Sequence, residues 1–188
     1  MRLFVTLSVL LLIVSNSFSQ HKIKFHSQNY IGALGGDLDK AFQFNTINGI
    51  QRGLYFGGIG TGVDFYYIRT VPLFFSVSRY LNAKRSSPYF MLDGGTNFVW
   101  DNSAANPYNG YYEESDFTPS LYYGAHAGYK FSINKKSGAV LATIGYSAKK
   151  LKETVNVGSP CIWPPCPTSK QQVHYDLNRF SFRLGWMF

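Results

Sequence analysis

Glutamate is almost missing from this chain: 188 residues contain only Glu113, Glu114 and Glu153. Charged residues of all kinds reach 15%, while Phe, Tyr and Trp together reach 18% and glycine occurs 18 times. Helical bundles and coiled coils are disfavoured, because rings and glycines stand where helices place Ala, Glu, Lys and Leu. Disorder is disfavoured as well, since a chain that is 45% hydrophobic has ample surface to bury. Beyond residue 20 no apolar run approaches the ~20 residues that a membrane-spanning helix needs.

The first nineteen residues read as a signal peptide. Met1-Arg2 supplies the positive start, Leu3 to Val14 an apolar run, and Ser17-Phe18-Ser19 the small residues at a cleavage site. Cleavage after Ser19 leaves Gln20 first and removes Arg2, so the formal charge falls from +8 to about +7. The domain organisation is then 1–19 signal and 20–188 one domain. No cysteine lies near the cleavage site to take a lipid.

What is present is alternation. Phe180, Phe182, Leu184, Trp186 and Phe188 alternate with Arg179, Ser181, Arg183, Gly185 and Met187. Val140, Ala142, Ile144, Tyr146 and Ala148 alternate with Leu141, Thr143, Gly145, Ser147 and Lys149. Leu121 to Phe131, Phe90 to Trp100 and Ile59 to Phe65 repeat the pattern. Strands of this kind have one apolar face. A soluble sandwich also alternates, but its outer faces carry Lys, Glu and Thr. Here the second face is glycine between isolated charges, which suits a cramped lumen. Rings near the strand ends (Tyr55, Tyr67, Trp100, Tyr129, Tyr146, Trp186) sit where membrane barrels place aromatic girdles.

Eight strands are predicted, at 22–33, 41–51, 54–67, 71–82, 87–100, 116–133, 138–153 and 171–188. The expected fold is all-β, an eight-stranded antiparallel up-and-down transmembrane barrel with short periplasmic turns, longer extracellular loops and both termini periplasmic. Connections at 34–40, 101–115 and 154–170 read as the long loops. Ile68-Arg69-Thr70 is the exception, short where a long loop is expected.

Eight strands close to an interior that side chains just fill, so a water-filled pore is not expected. Asp64, Asp93, His126, Lys130, Arg179 and Arg183 are assigned inward, and buried charges need partners, which predicts an Asp-to-Arg/Lys network plugging the lumen. A proton or ion path through that network is the sharper alternative. The facing of the first two strands cannot be read. Cys161-Ile-Trp-Pro-Pro-Cys166 lies in the longest loop, and in an oxidising envelope Cys161 and Cys166 are expected to pair, holding Trp163 outward. Zinc is disfavoured because only His174 lies near them, so no metal and no cofactor are expected.

Lys149, Lys150, Lys152 and Lys170 flank the outer end of the last hairpin and are candidates for lipopolysaccharide phosphates. Lys84, Arg85, Lys135 and Lys136 are expected in periplasmic turns as candidates for anionic phospholipid headgroups, and a solvated rim that keeps strand ends in water is the alternative for both basic groups. No nucleic-acid motif accompanies the basic charge, and Gly-Ile-Gly-Thr-Gly has no helix after it to make a dinucleotide site.

The Ser-Phe-Ser-Gln signal end, Ile47-Asn48-Gly49, Gly58 to Asp64, Pro72-Leu73-Phe74, Ser87-Pro88-Tyr89, Gly145-Tyr146 and the terminal Phe188 together resemble the small outer-membrane β-barrel proteins typical of Bacteroidetes. The resemblance implies a cell outer-membrane location. It also implies that Trp186 and Phe188 resemble the signal read by the outer-membrane assembly machinery. Ser76 and Ser78 depart from the charged lumen residues expected there. Three functions follow. One is a structural or surface-interaction barrel whose loop residues Tyr108, Tyr111, Tyr112 and Trp163 touch lipids, glycans or proteins. The second is an accessory subunit of a larger outer-membrane secretion or assembly complex. The third is a lipid A-modifying enzyme, for which His174 with Asp176 is the only comparable pair; no catalytic constellation is otherwise present.

Overall fold

Runs of β-branched and aromatic residues punctuated by glycine favour extended chain, and strands account for nearly all of the structure. A computed structural model describes residues 22–100, 112–133, 138–158 and 168–188. In chain order the strands are β1 (Lys24–Gly36), β2 (Lys40–Arg52), β3 (Tyr55–Asp64), β4 (Thr70–Tyr80), β5 (Ser87–Val99), β6 (Tyr112–Thr118), β7 (Ser120–Ser132), β8 (Ala139–Gly158) and β9 (Thr168–Met187). There is no helix among the described residues.

β6 and β7 are one predicted strand broken at Pro119, whose missing N–H cannot continue a ladder. β7 joins β5 to β8, β6 pairs among the described residues only with the upper part of β8, and β1 pairs with β9. The wall is therefore a closed, antiparallel, up-and-down barrel of eight strands, and the sandwich alternative falls. Register gives its dimensions. Following partners from His26 through Gly49, Gly58, Ser76, Asp93, Gly124, Ser147 and Arg179 returns to Gly36, ten residues farther along β1. At ~3.3 Å per residue and ~4.8 Å between strands, that offset tilts the strands by about 40° and sets a backbone radius of about 8 Å.

Polarity is inverted relative to a soluble domain. Phe75, Phe180 and Ile144 are 69%, 70% and 64% exposed on the outer wall, whereas Arg183 and Lys149 are 0% and Arg179 1% exposed inside. The first two strands follow suit: Gln28, Tyr30, Gln43, Asn45 and Ile47 are buried, while Phe25, Ile31, Phe42, Phe44 and Ile50 are exposed. Tyr146 lies midway along β8 against Phe180, with ring centroids 5.5 Å apart, so it is not at a strand end as expected. Glycine makes room for rings in the narrow bore. A Cβ on Gly60 would come within 2.4 Å of the Phe74 ring, and one on Gly145 within 2.1 Å of His126 Nδ1.

Connection lengths depart from expectation. At the end carrying the chain termini the turns are short. At the opposite, distal end the first connection is residues 37–39, because β1 and β2 run three and one residues into the segment read as a long loop. The second, residues 65–69, folds inward: Tyr66 and Ile68 are buried with Leu34, Leu151 and Leu177, which explains why it needs so little chain. β8 and β9 are each 20 residues, longer than predicted, and pair along their whole length beyond the rim, with β6 as a third strand.

Candidate functional site

The inward face of each strand delivers side chains to the lumen in layers, and the layers differ in chemistry. Toward the terminal end lies an apolar and tyrosine layer that includes Tyr30, Phe56, Tyr80, Tyr89, Met91, Leu141 and Met187. Its hydroxyls are tied together. Tyr30 donates to Gln28 Oε1 at 2.8 Å, and Tyr89 shares a 2.7 Å hydrogen bond with Thr143 Oγ1. Lys130 closes this end with its ammonium 4.2 Å from the Tyr80 ring centroid, close enough for a cation–π contact.

The middle layer brings together Asp93 from β5, His126 from β7 and Arg183 from β9. Both Arg183 Nη atoms lie 3.3 Å from Asp93 Oδ2, and His126 Nε2 lies 3.3 Å from the same oxygen. Arg183 Nη2 also meets His126 Nε2, and Ser181 Oγ lies 3.3 Å from His126 Nδ1. All three charged or chargeable side chains have no solvent exposure.

The distal layer contains Asp64 from β3, Lys149 from β8 and Arg179 from β9. Arg179 Nη1 is 2.5 Å from Asp64 Oδ2, and Lys149 Nζ is 3.4 Å from Asp64 Oδ1. Two cations share one carboxylate here, and backbone dipoles complete the coordination of the second: Lys149 Nζ donates to the carbonyls of Tyr66 at 2.8 Å and Ile68 at 2.7 Å, and to Thr70 Oγ1 at 3.2 Å. The residue between those carbonyls, Tyr67, has φ 56°, a left-handed conformation that a bulky side chain adopts only at a cost. Asp39 Oδ2 accepts its N–H at 3.3 Å, so the strained turn is held from inside by Lys149 and from outside by Asp39.

Lys149 therefore leaves the rim group proposed for lipopolysaccharide: it is a lumen residue, because it shares parity with Ser147 and Leu151 on the inward face of β8. Lys150 and Lys170 are exposed and Lys152 is half-buried; Lys150 pairs with Asp176 at 3.4 Å. His174 and Asp176 are both exposed on β9. Ser76 and Ser78 are buried in the lumen, Ser76 directly beside Asp93 in register. Trp186 and Phe188 are on the outer wall, and Phe188 exchanges backbone hydrogen bonds with Ser27 at 3.1 and 2.9 Å. Cys161, Cys166, Tyr108, Tyr111 and Trp163 lie outside the described residues, as do 1–19; Tyr112 opens β6. Two participants escaped sequence reading: Lys149 as an ion-pair partner, and Glu153, buried and accepting from Tyr175 Oη at 2.8 Å. Among the described residues no cluster of three His, Cys, Asp or Glu is arranged to hold a metal.

No family model matches the sequence, and no curated protein does. Among solved structures the fold is similar to the outer membrane protein OprG from Pseudomonas aeruginosa, with TM-score 0.59 at 12% identity over 89% of this chain and 96% of that one. At this identity the likeness concerns the fold.

Proposed function

We propose that this chain is a small integral outer-membrane barrel of the Bacteroidetes type, exported by a signal at 1–19. In this reading both termini are periplasmic, the lumen is closed by its own side chains, and the structural or surface-interaction role is carried at the distal end. The observation that supports it most is the inverted polarity. Rings cover the wall and ion pairs the interior; in water, each large apolar side chain left uncovered forgoes roughly 1.5–3 kcal/mol that burial would give. Hydrocarbon removes that penalty and demands a closed ladder, which the β1–β9 pairing supplies.

Closure of the lumen rests on the three layers, since Asp93–Arg183 and Asp64–Arg179 each cross a bore of about 8 Å backbone radius. Contacts at the distal end then fall to the exposed Lys150 and Lys170, to Lys152 for lipid phosphates, and to Tyr108, Tyr111, Tyr112 and Trp163 in or near the loops, where Cys161 and Cys166 pair. Trp186 and Phe188 serve as the assembly signal.

The test has two readouts on purified protein in detergent. Unboiled protein should migrate apart from boiled protein in gels, and identical mobility would overturn the barrel in membrane. In planar bilayers the protein should add no stable conductance steps; large, long-lived steps would overturn the closed lumen.

The accessory-subunit reading draws on one observation. From Thr168 to Asn178 β9 extends past the last residue paired with β1, leaving a backbone edge that no strand among the described residues covers, of the kind that strand addition uses. Co-migration of a second protein with the chain after gentle detergent extraction would favour it.

A further inference from the structure

The outer wall is not uniformly studded with rings. β1 carries small residues, Ala33 and Gly35, at two consecutive outward positions. Their register partners on both sides are large: Ala33 lies between Phe42 and Phe182, and Gly35 between Lys40 and Phe180. The result is a trough along β1 with aromatic banks, continuous through two adjoining cavities of about 410 Å³ each. Its floor is empty above Gly35, where a Cβ would meet no atom within 4 Å. Unlike Gly60 or Gly145, Gly35 is not required by a crowding neighbour, so steric need does not explain the absence of a side chain.

The lower cavity reaches Trp186, which pairs with Asn29, and the upper reaches Lys40, which pairs with Gly35. Six residues of β1 separate those levels, roughly 20 Å of strand at ~3.3 Å each. Tilted by about 40°, that is close to one leaflet of a ~30 Å hydrocarbon core. Lys40 is exposed at the distal end of this length and makes no ion pair among the described residues. The nearest carboxylate in sequence, Asp39, is engaged by backbone N–H groups of Lys40 at 2.7 Å and Tyr67 at 3.3 Å.

We propose that this trough seats one acyl chain of a phosphate-bearing outer-leaflet lipid, lipid A, with the Lys40 ammonium on the phosphate. The inference rests on the outer-membrane reading with periplasmic termini, which puts Lys40 at the outer headgroup level. Apolar banks match the chain, the open floor admits it, and the unpaired cation at the trough's headgroup end supplies the charge complement.

The test uses the full mature chain in detergent micelles, with purified lipid A added and bound copies counted by native mass spectrometry. Wild type should retain one lipid A. Gly35→Phe fills the trough at a position with room for it and should lower retention at least tenfold. Lys40→Gln should lower it about fivefold, the effect of one lysine near a charged headgroup. Dephosphorylated lipid A should bind wild type about as weakly as lipid A binds Lys40→Gln. Undiminished retention by Gly35→Phe, or equal retention of phosphatidylglycerol or of dephosphorylated lipid A by wild type, would overturn the proposal. Gel mobility of the same samples, boiled and unboiled, separates the failures: a shift without lipid A retention refutes the trough alone, and no shift refutes the membrane reading with it.

Discussion

Replacing Asp93 by Asn is the sharpest perturbation of the lumen. It keeps the side chain's shape and removes the only carboxylate that Arg183 pairs with among the described residues; Arg183 is fully buried and both its Nη atoms lie 3.3 Å from Asp93 Oδ2. His126, the third member, is a base and cannot balance a guanidinium. Breaking a buried ion pair by deleting one partner costs about 3–5 kcal/mol, because the other charge stays desolvated. At ~1.4 kcal/mol per decade, the folding equilibrium moves by at least a hundredfold. Replacing both residues, Asp93→Asn with Arg183→Met, removes the orphan charge as well as its partner. The double variant should then lie within about 2 kcal/mol of wild type and be more stable than Asp93→Asn alone, a coupling of at least ~2 kcal/mol. Urea-driven equilibrium folding into lipid vesicles, followed by tryptophan fluorescence, measures all four corners of the cycle. Additive losses, or a loss below ~1 kcal/mol for Asp93→Asn, would refute the reasoning, since either result means that Arg183 has access to water or to another anion.

Lys149→Met tests the distal layer. It leaves Asp64 and Arg179 balanced one to one but strips donors from the carbonyls of Tyr66 and Ile68, at about 1–3 kcal/mol for each buried group left unsatisfied. Hydrogen exchange should accelerate at residues 65–70 and stay unchanged in the terminal half of the barrel; a solvated rim lysine would give a change within about 0.5 kcal/mol and no local signature. Deleting Phe188 removes two closing hydrogen bonds to Ser27 and a ring from the wall. The yield of heat-modifiable barrel in cells should fall, and an unaffected yield would remove the assembly-signal assignment.

Parity is what strands write most plainly into sequence. Five of the eight segments separate an apolar from a small or charged face cleanly enough to assign, and the barrel follows from what the second face lacks. β1 and β2 resist because their outward faces include Asn29, Thr46 and Asn48 among the rings, while Tyr30 and Ile47 point inward. Ends are less legible. The 37–39 and 65–69 turns contain the Asp, Leu and Tyr of ordinary loops, and the brevity of 65–69 depends on inward contacts of Tyr66 and Ile68 that no local pattern shows.

Lys149 marks the boundary between the two kinds of information. Alternation with Leu141, Thr143, Gly145 and Ser147 already put it on the inward face, yet its position among Lys150 and Lys152 at a strand end suggested a rim. Deciding between these needs the partner, and partners across a lumen are set by shear. With a ten-residue offset around the ring, each step from strand to neighbouring strand moves the perpendicular by a little more than one residue along the barrel axis. Asp64 on β3 comes level with Lys149 and Arg179 on the paired β8 and β9 only once that drift is counted, although its strand lies far from theirs in the chain. Parity thus sorts side chains between wall and lumen, whereas closure decides which lumen charges meet; an ion pair in a barrel is a property of the ring, and a two-residue shift in the register of β1 on β9 would exchange the partners without altering a single facing.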